Sequence, residues 1–141
     1  MTPQQVQLVR DSWGLIEPLR DRVSRLFYEQ LFESAPTLRP MFTSDIAAQG
    51  TKLFATLNVV VDHIDHLVPL LPPLRQLAVR HLDWDVLPEH YDKVGIALSN
   101  ALAISLGPAF TPAVRQAWEE AYGVLAAAMK EAAYRVATSR G

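Results

Sequence analysis

Pro73-Leu74-Arg75-Gln76-Leu77-Ala78-Val79-Arg80-His81-Leu82 is a short amphipathic stretch in which an imidazole stands where a core leucine is expected. On a helix that turns Leu74 inward, Leu77, Ala78 and His81 share its face, while Arg75 and Gln76 turn away. A polar group taken out of water needs a partner. The 141 residues contain no cysteine, so the thiolates of the usual structural zinc site are missing. His81 is left with a local hydrogen bond or a cofactor that takes one protein ligand.

Outward from this stretch the pattern is helical throughout. Towards the N-terminus, Pro69, Pro72 and Pro73 end a long helix that Asp45 can cap. Its stripe is Ile46, Gln49, Leu53, Leu57, Val60, Ile64 and Leu67, apolar except for Gln49. Before it, Ala35 to Pro40 carries prolines four apart and supports one short helical turn. A helix from about Pro18 to Phe32 turns Leu19, Val23, Leu26 or Phe27, and Leu31 inward, with Tyr28 near the stripe's edge. Thr2-Pro3 opens the first helix, where Gln5 can close a capping box and Val6, Val9, Trp13 and Ile16 form the stripe.

Towards the C-terminus, Pro88 opens a helix with Tyr91, Val94, Leu98, Leu102 and Ser105 on one side, stopped at Gly107-Pro108. The last helix begins at Thr111-Pro112 and buries Val114, Trp118, Tyr122, Leu125, Met129, Ala132 and Val136. Gly95 and Gly123, in mid-helix, each cost about 1 kcal/mol against alanine and are expected to serve close helix contact. No alternating strand pattern, repeat or low-complexity segment interrupts the series. The expected fold is all-α, with six main helices and short corner helices.

Residues 1–141 fit one domain. Thirteen basic and 15 acidic residues give a net charge of -2, which lacks the basic signature of a nonspecific nucleic-acid binder. The first residues carry no basic flank and apolar run of a signal peptide, and no stretch is long and apolar enough to span a bilayer. A cytoplasmic location is the expectation.

Two polar residues thus sit on inward stripes of consecutive helices, Gln49 and His81. If those helices face a common void, His81 offers a nitrogen from one side, Gln49 an amide donor from the other, and Tyr28 a third polar tip. Haem needs an axial ligand, an apolar slot, an aromatic wedge and a cation near its propionates. His81, then Leu53 with Val86 and Val94, then Phe42, then Lys52 are candidates for these parts.

The arrangement resembles the globin family, specifically bacterial single-domain globins and the haem domain of flavohaemoglobins. The matching segments run in order along nearly the whole chain. They are Phe27-Tyr28, Pro36-Thr37-Leu38-Arg39-Pro40-Met41-Phe42, Gln49-Gly50-Thr51-Lys52-Leu53-Phe54, Arg80-His81, Pro88-Glu89-His90-Tyr91 and Ala117-Trp118-Glu119-Glu120-Ala121-Tyr122-Gly123. The resemblance implies a globin fold around non-covalent haem b, with His81 as the proximal iron ligand and Phe42 packed on the porphyrin. It implies Tyr28 and Gln49 as the distal pair that hydrogen-bonds bound oxygen, Leu53 as the residue limiting ligand space, and Lys52 as a propionate partner.

Tyr91 matches a proximal tyrosine that, in flavohaemoglobins, joins a carboxylate in orienting the histidine. Here the sequence departs from the family: counted from Trp118, the carboxylate position holds Arg135, and the nearest acid, Glu131, lies one turn earlier. The flavin and nicotinamide domains of flavohaemoglobins do not follow within the 141 residues, so any reduction is expected to come from an external reductase.

The resemblance implies reversible binding of oxygen, with nitric oxide and carbon monoxide as other diatomic ligands. Nitric oxide dioxygenase activity with a separate reductase is one alternative; a sensory globin acting through a partner is another. His63 and His66, flanked by Asp62 and Asp65, have metal-ligand spacing but lie off the main stripe and read as a solvated helix face. His90, in a first helical turn, suggests no specific role.

Overall fold

The computed structural model describes residues 1–41, 46–83 and 88–140. Among these, six α-helices follow one another: α1 (Pro3–Ile16), α2 (Arg20–Ser34), α3 (Ile46–Asp62), α4 (Leu71–Asp83), α5 (Pro88–Leu106) and α6 (Pro112–Arg140). Short 3₁₀ turns at Glu17–Leu19, Pro36–Met41, Val68–Leu70 and Gly107–Ala109 make the corners, each built on proline. Proline fixes φ and gives up a donor that a first turn would leave unpaired.

Local chemistry sets the helix starts. Thr2 Oγ1 accepts from the Gln5 backbone N–H at 3.1 Å, and the Gln5 side chain accepts from the Thr2 N–H at 2.9 Å, which completes the capping box. Thr111 caps α6 by accepting from the Val114 N–H. All four stripe residues of α1 are buried.

The long helix is shorter than its apolar stripe. It ends at Asp62, although Ile64 is buried and Leu67 packs against the core from the turn that follows. At this end the His63 N–H is shared between the Val59 and Val60 carbonyls, and His63 Nδ1–H donates to the Val59 oxygen at 3.0 Å. The chain then turns towards Pro69. Leu19, expected inward, is exposed in the corner between α1 and α2.

Among the described residues, two apolar clusters fill the interior. The larger gathers α1, α2, the middle of α5 and the start of α6 with the α3 residues Phe54, Leu57 and Val61, and Leu53 and Val94 pack against it. The smaller joins Leu74 and Ala78 of α4 and Tyr91 of α5 with Leu125, Ala126, Met129 and Ala132 of α6. Tyr122 packs against both. Across the larger cluster, the buried Trp118 indole donates to Ser12 Oγ at 2.8 Å and ties α6 to α1.

Close helix contact is real at one of the two mid-helix glycines. A Cβ at Gly95 would lie 2.6 Å from the Tyr122 ring, so only glycine admits that ring against α5. Gly123 is exposed, with nothing within 4 Å of such a Cβ, and no contact requires it. A closer approach is made at Gly50 of α3. A Cβ there would fall 1.9 Å from Ser24 Oγ of α2 and 3.9 Å from Tyr28 Cε2.

Candidate functional site: the His81 and Tyr28 helices

The expected site residues fall into two groups, one around Tyr28 and Leu53 at the larger cluster and one around Tyr91 in the smaller. On one side stand Tyr28, Gln49 and Leu53. The Gly50 crossing brings α2 and α3 together, so the Tyr28 ring lies one residue along the α3 backbone from Gln49. Tyr28 is buried and belongs to the larger cluster, while Gln49 and Leu53 are half-buried. Tyr28 packs between two rings, Phe27 edge-on at 5.0 Å and Phe32 stacked at 5.9 Å. Loss of hydration on burial pushes the Tyr28 hydroxyl up to about 12, because an apolar setting penalises the phenolate. The group is a neutral phenol at physiological pH.

On the other side stand His81 and Tyr91. His81 is half-buried, and its Nδ1 lies 2.8 Å from the carbonyl oxygen of Leu77, one turn earlier on α4. A carbonyl can only accept, so Nδ1 carries the proton and Nε2 the lone pair of the neutral ring. Burial is the main cause that holds the His81 pKa below its ordinary value; the Leu77 hydrogen bond opposes it, and the neighbouring Arg80 charge adds to it. The Tyr91 ring lies nearly parallel to the imidazole, 6.3 Å away at 22°. Behind it, the Tyr122 hydroxyl donates to the Tyr91 backbone carbonyl, and burial raises the pKa of both tyrosines.

The acid nearest to the family's carboxylate position, which holds Arg135 here, is directed to the surface. Glu131 forms an ion pair with Arg135 one turn along α6, and both side chains are more than 60% exposed. Lys52 is exposed on α3, and Val94 is half-buried against the larger cluster. Phe42 and Val86 lie outside the described residues.

The remaining histidines are held locally. His63 bonds to its own helix, His66 is exposed, and Asp65 pairs with Arg10 at 3.0 Å, which lowers the Asp65 pKa. Among the described residues, no group of three or more His, Asp or Glu could hold a metal ion. His90 is buried in the first turn of α5.

This donor set fits haem. One imidazole presents a basic Nε2 because its other nitrogen is engaged, and a neutral phenol and an amide stand with the separate apolar cluster. A family model described as Globin matches residues 25–129. The chain belongs to the globin family. Relatives of this globin include the flavohemoprotein of Deinococcus radiodurans, 34% identical over 129 residues that cover 89% of this chain and 32% of that protein. The flavohemoprotein of Bacillus subtilis is 31% identical over 124 residues, covering 86% and 31%. The globin therefore spans about a third of the length of these curated relatives.

Solved structures agree on the fold. An engineered carbene transferase derived from a candidate nitric oxide dioxygenase of Rhodothermus marinus superposes with a TM-score of 0.89 at 29% identity, covering 99% of this chain and 97% of that one. A bacterial globin from Campylobacter jejuni gives 0.86 at 24% identity, covering 97% and 99%. Family membership implies haem and diatomic gas ligands. No helix among the described residues is long and apolar enough to cross a membrane.

Sequence reasoning singled out His81, Tyr28 and Gln49 but missed the residues that hold them. Ser24 with Gly50, Arg39 and the Tyr122 hydroxyl act across elements, whereas Phe32 acts within α2. The one local signal was Phe32, four residues after Tyr28 on the same helical face.

Proposed function

We propose that this globin is a single domain over residues 1–141 that binds haem b non-covalently and reversibly binds oxygen, with carbon monoxide and nitric oxide as further ligands. The observation that carries this reading is the His81 ring, whose Nδ1–H is committed to Leu77 so that Nε2 is the basic nitrogen. When bound, haem would supply the iron that takes up a diatomic gas. His81 would hold that iron through Nε2, and its hydrogen bond to Leu77 fixes both tautomer and ring plane. Tyr91, stacked beside it, limits rotation of the imidazole.

On the distal side, Tyr28 and Gln49 donate hydrogen bonds to a ligand that gains negative charge on binding. Burial keeps Tyr28 protonated and therefore able to donate. Leu53 and Val94 supply apolar walls, together with Val86 and the Phe42 wedge, and Lys52 pairs with a propionate. Purified protein reconstituted with haem is expected to show a Soret band, and His81→Ala to lose the imidazole-ligated spectrum until free imidazole is added. No Soret band after reconstitution would overturn the reading, and normal iron ligation in His81→Ala would remove His81 from this role.

A second reading is nitric oxide dioxygenase activity sustained by an external reductase. It is favoured by the likeness over nearly the full length to the engineered derivative of the R. marinus candidate dioxygenase. Consumption of nitric oxide through many turnovers with a supplied reductant would support it; a single stoichiometric burst would count against it.

A further inference from the structure

A cleft of about 740 Å³ opens between the corner that joins α1 to α2, the first half of α2, and α3. Small-molecule sites typically enclose about 300 to 1,000 Å³. Trp13, Ile46 and Phe54 make its floor apolar, and the Trp13 and Phe54 rings stack at 5.3 Å with 25° between their planes. His81, Tyr28 and Gln49 do not line it, so the cleft is distinct from the site described above.

Its walls hold polar groups that the fold does not use. Ser12, Ser34, Thr51 and Thr56 each donate to a carbonyl of their own helix, as helical hydroxyls commonly do. Ser24 makes no hydrogen bond among the described residues, although it is only 8% exposed. Its hydroxyl is directed at α3 instead and takes the space that a Cβ at Gly50 would fill; both residues line the cleft. A hydroxyl so deeply buried is costly without a partner. Asn58 accepts from the Trp13 indole at 3.0 Å through Oδ1, which leaves its NH₂ group to donate. Along the other wall stand Glu17, Arg20, Asp21 and Arg25, none of them in an ion pair among the described residues. A singly charged ligand would meet as many like charges as opposite ones there. A ligand that carries both signs can pair with both.

We propose that this cleft binds a short peptide with free termini and an apolar side chain. The apolar side chain covers Trp13 and Phe54, and a backbone carbonyl accepts from the Ser24 hydroxyl and the Asn58 NH₂ group. The terminal carboxylate lies by Arg20 and Arg25, and the terminal ammonium by Glu17 and Asp21. Binding is non-covalent, and it does not depend on the haem reading.

The probe is alanyl-phenylalanyl-alanine, titrated calorimetrically into the full-length protein after addition of haem and carbon monoxide, while the methyl signals of Ala47 and Ala55 are followed by NMR. The N-acetyl and C-amide forms of the same peptide keep its body and remove one charge each. The free peptide is expected to bind and to shift both methyl signals, with each blocked form weaker by about two- to fivefold. Phenylalanine, which lacks the internal carbonyl, should bind about tenfold more weakly than the free peptide. Ser24→Ala should weaken the free peptide by about two- to tenfold, and Arg20→Gln combined with Arg25→Gln should remove its advantage over the amide. Ala55→Trp, which fills the cleft from the α3 side, should abolish binding. Equal affinities of the free and both blocked peptides, unshifted Ala47 and Ala55 signals, or binding that survives Ala55→Trp would each overturn the site. Phenylalanine binding as tightly as the peptide would overturn the peptide class. If a variant fails to fold, the free and blocked peptides compared on the wild-type protein decide the matter alone.

Discussion

Single side chains carry the chemistry of this globin through their protonation states. In the proposed function Tyr28 is able to donate because burial raises its pKa to about 12, so oxygen dissociation is expected to be flat between about pH 7 and 9.5 in rapid-mixing experiments; a marked rise in that window would show that the donor ionises early. Replacing Tyr28 or Gln49 by leucine removes one donor to a charged partner, about 1.5 to 3 kcal/mol, or roughly ten- to a hundredfold in the dissociation rate. Unchanged rates in both variants would exclude the pair. His81 has a folded pKa below its ordinary 6.5, so the unfolded chain takes up its proton first. Its contribution to stability is complete above about pH 6.5 and is lost as pH falls through the lower folded value. The haem-free chain should therefore unfold more readily on acidification from pH 7 to 5.5, and His81→Gln should show a shallower slope in urea titrations.

Helix contacts decide where glycine is needed, and the two mid-helix glycines differ in sign. Gly95→Ala drives a methyl into the Tyr122 ring, which is held by its hydrogen bond to Tyr91. It is expected to cost about 1 to 3 kcal/mol and to disturb the His81 side of the site by shifting Tyr91. Gly123→Ala meets open space and should stabilise α6 by about 0.5 to 1 kcal/mol. Chemical denaturation of the two variants checks both, and equal effects would refute the distinction. Ser12→Ala would leave the Trp118 indole N–H buried without its acceptor, at about 1 to 3 kcal/mol. The helix starts were legible because Thr2, Thr111 and the prolines act within a few residues. The end of α3 was not, since Ile64 and Leu67 keep helical spacing beyond Asp62 although the backbone has already turned.

Among the described residues the apolar interior divides into two clusters bridged by Tyr122, with Tyr28 in the larger and Tyr91, the ring beside His81, in the smaller. A cofactor bound between them would join the clusters, and binding to the native state alone raises stability by mass action. Haem removal is therefore expected to lower the thermal midpoint, by an amount that grows with the haem concentration used for the loaded sample. An identical midpoint with and without haem would contradict binding at this division. By itself, the sequence determined the helical class, the caps and proline corners, and the inward faces apart from Leu19, and it singled out His81, Tyr28 and Gln49 as candidates, because helical period and capping chemistry act over spans of three or four residues. Only the tertiary structure decided that Gly50 rather than Gly123 serves a close crossing, that Glu131 turns to Arg135 at the surface, that Tyr122 anchors the backbone beside the proximal ring, and that the Arg39 guanidinium lies over the Phe32 ring. Most of these contacts join residues on different elements, and the choice among them depends on how whole helices pack, which no local stretch of sequence contains.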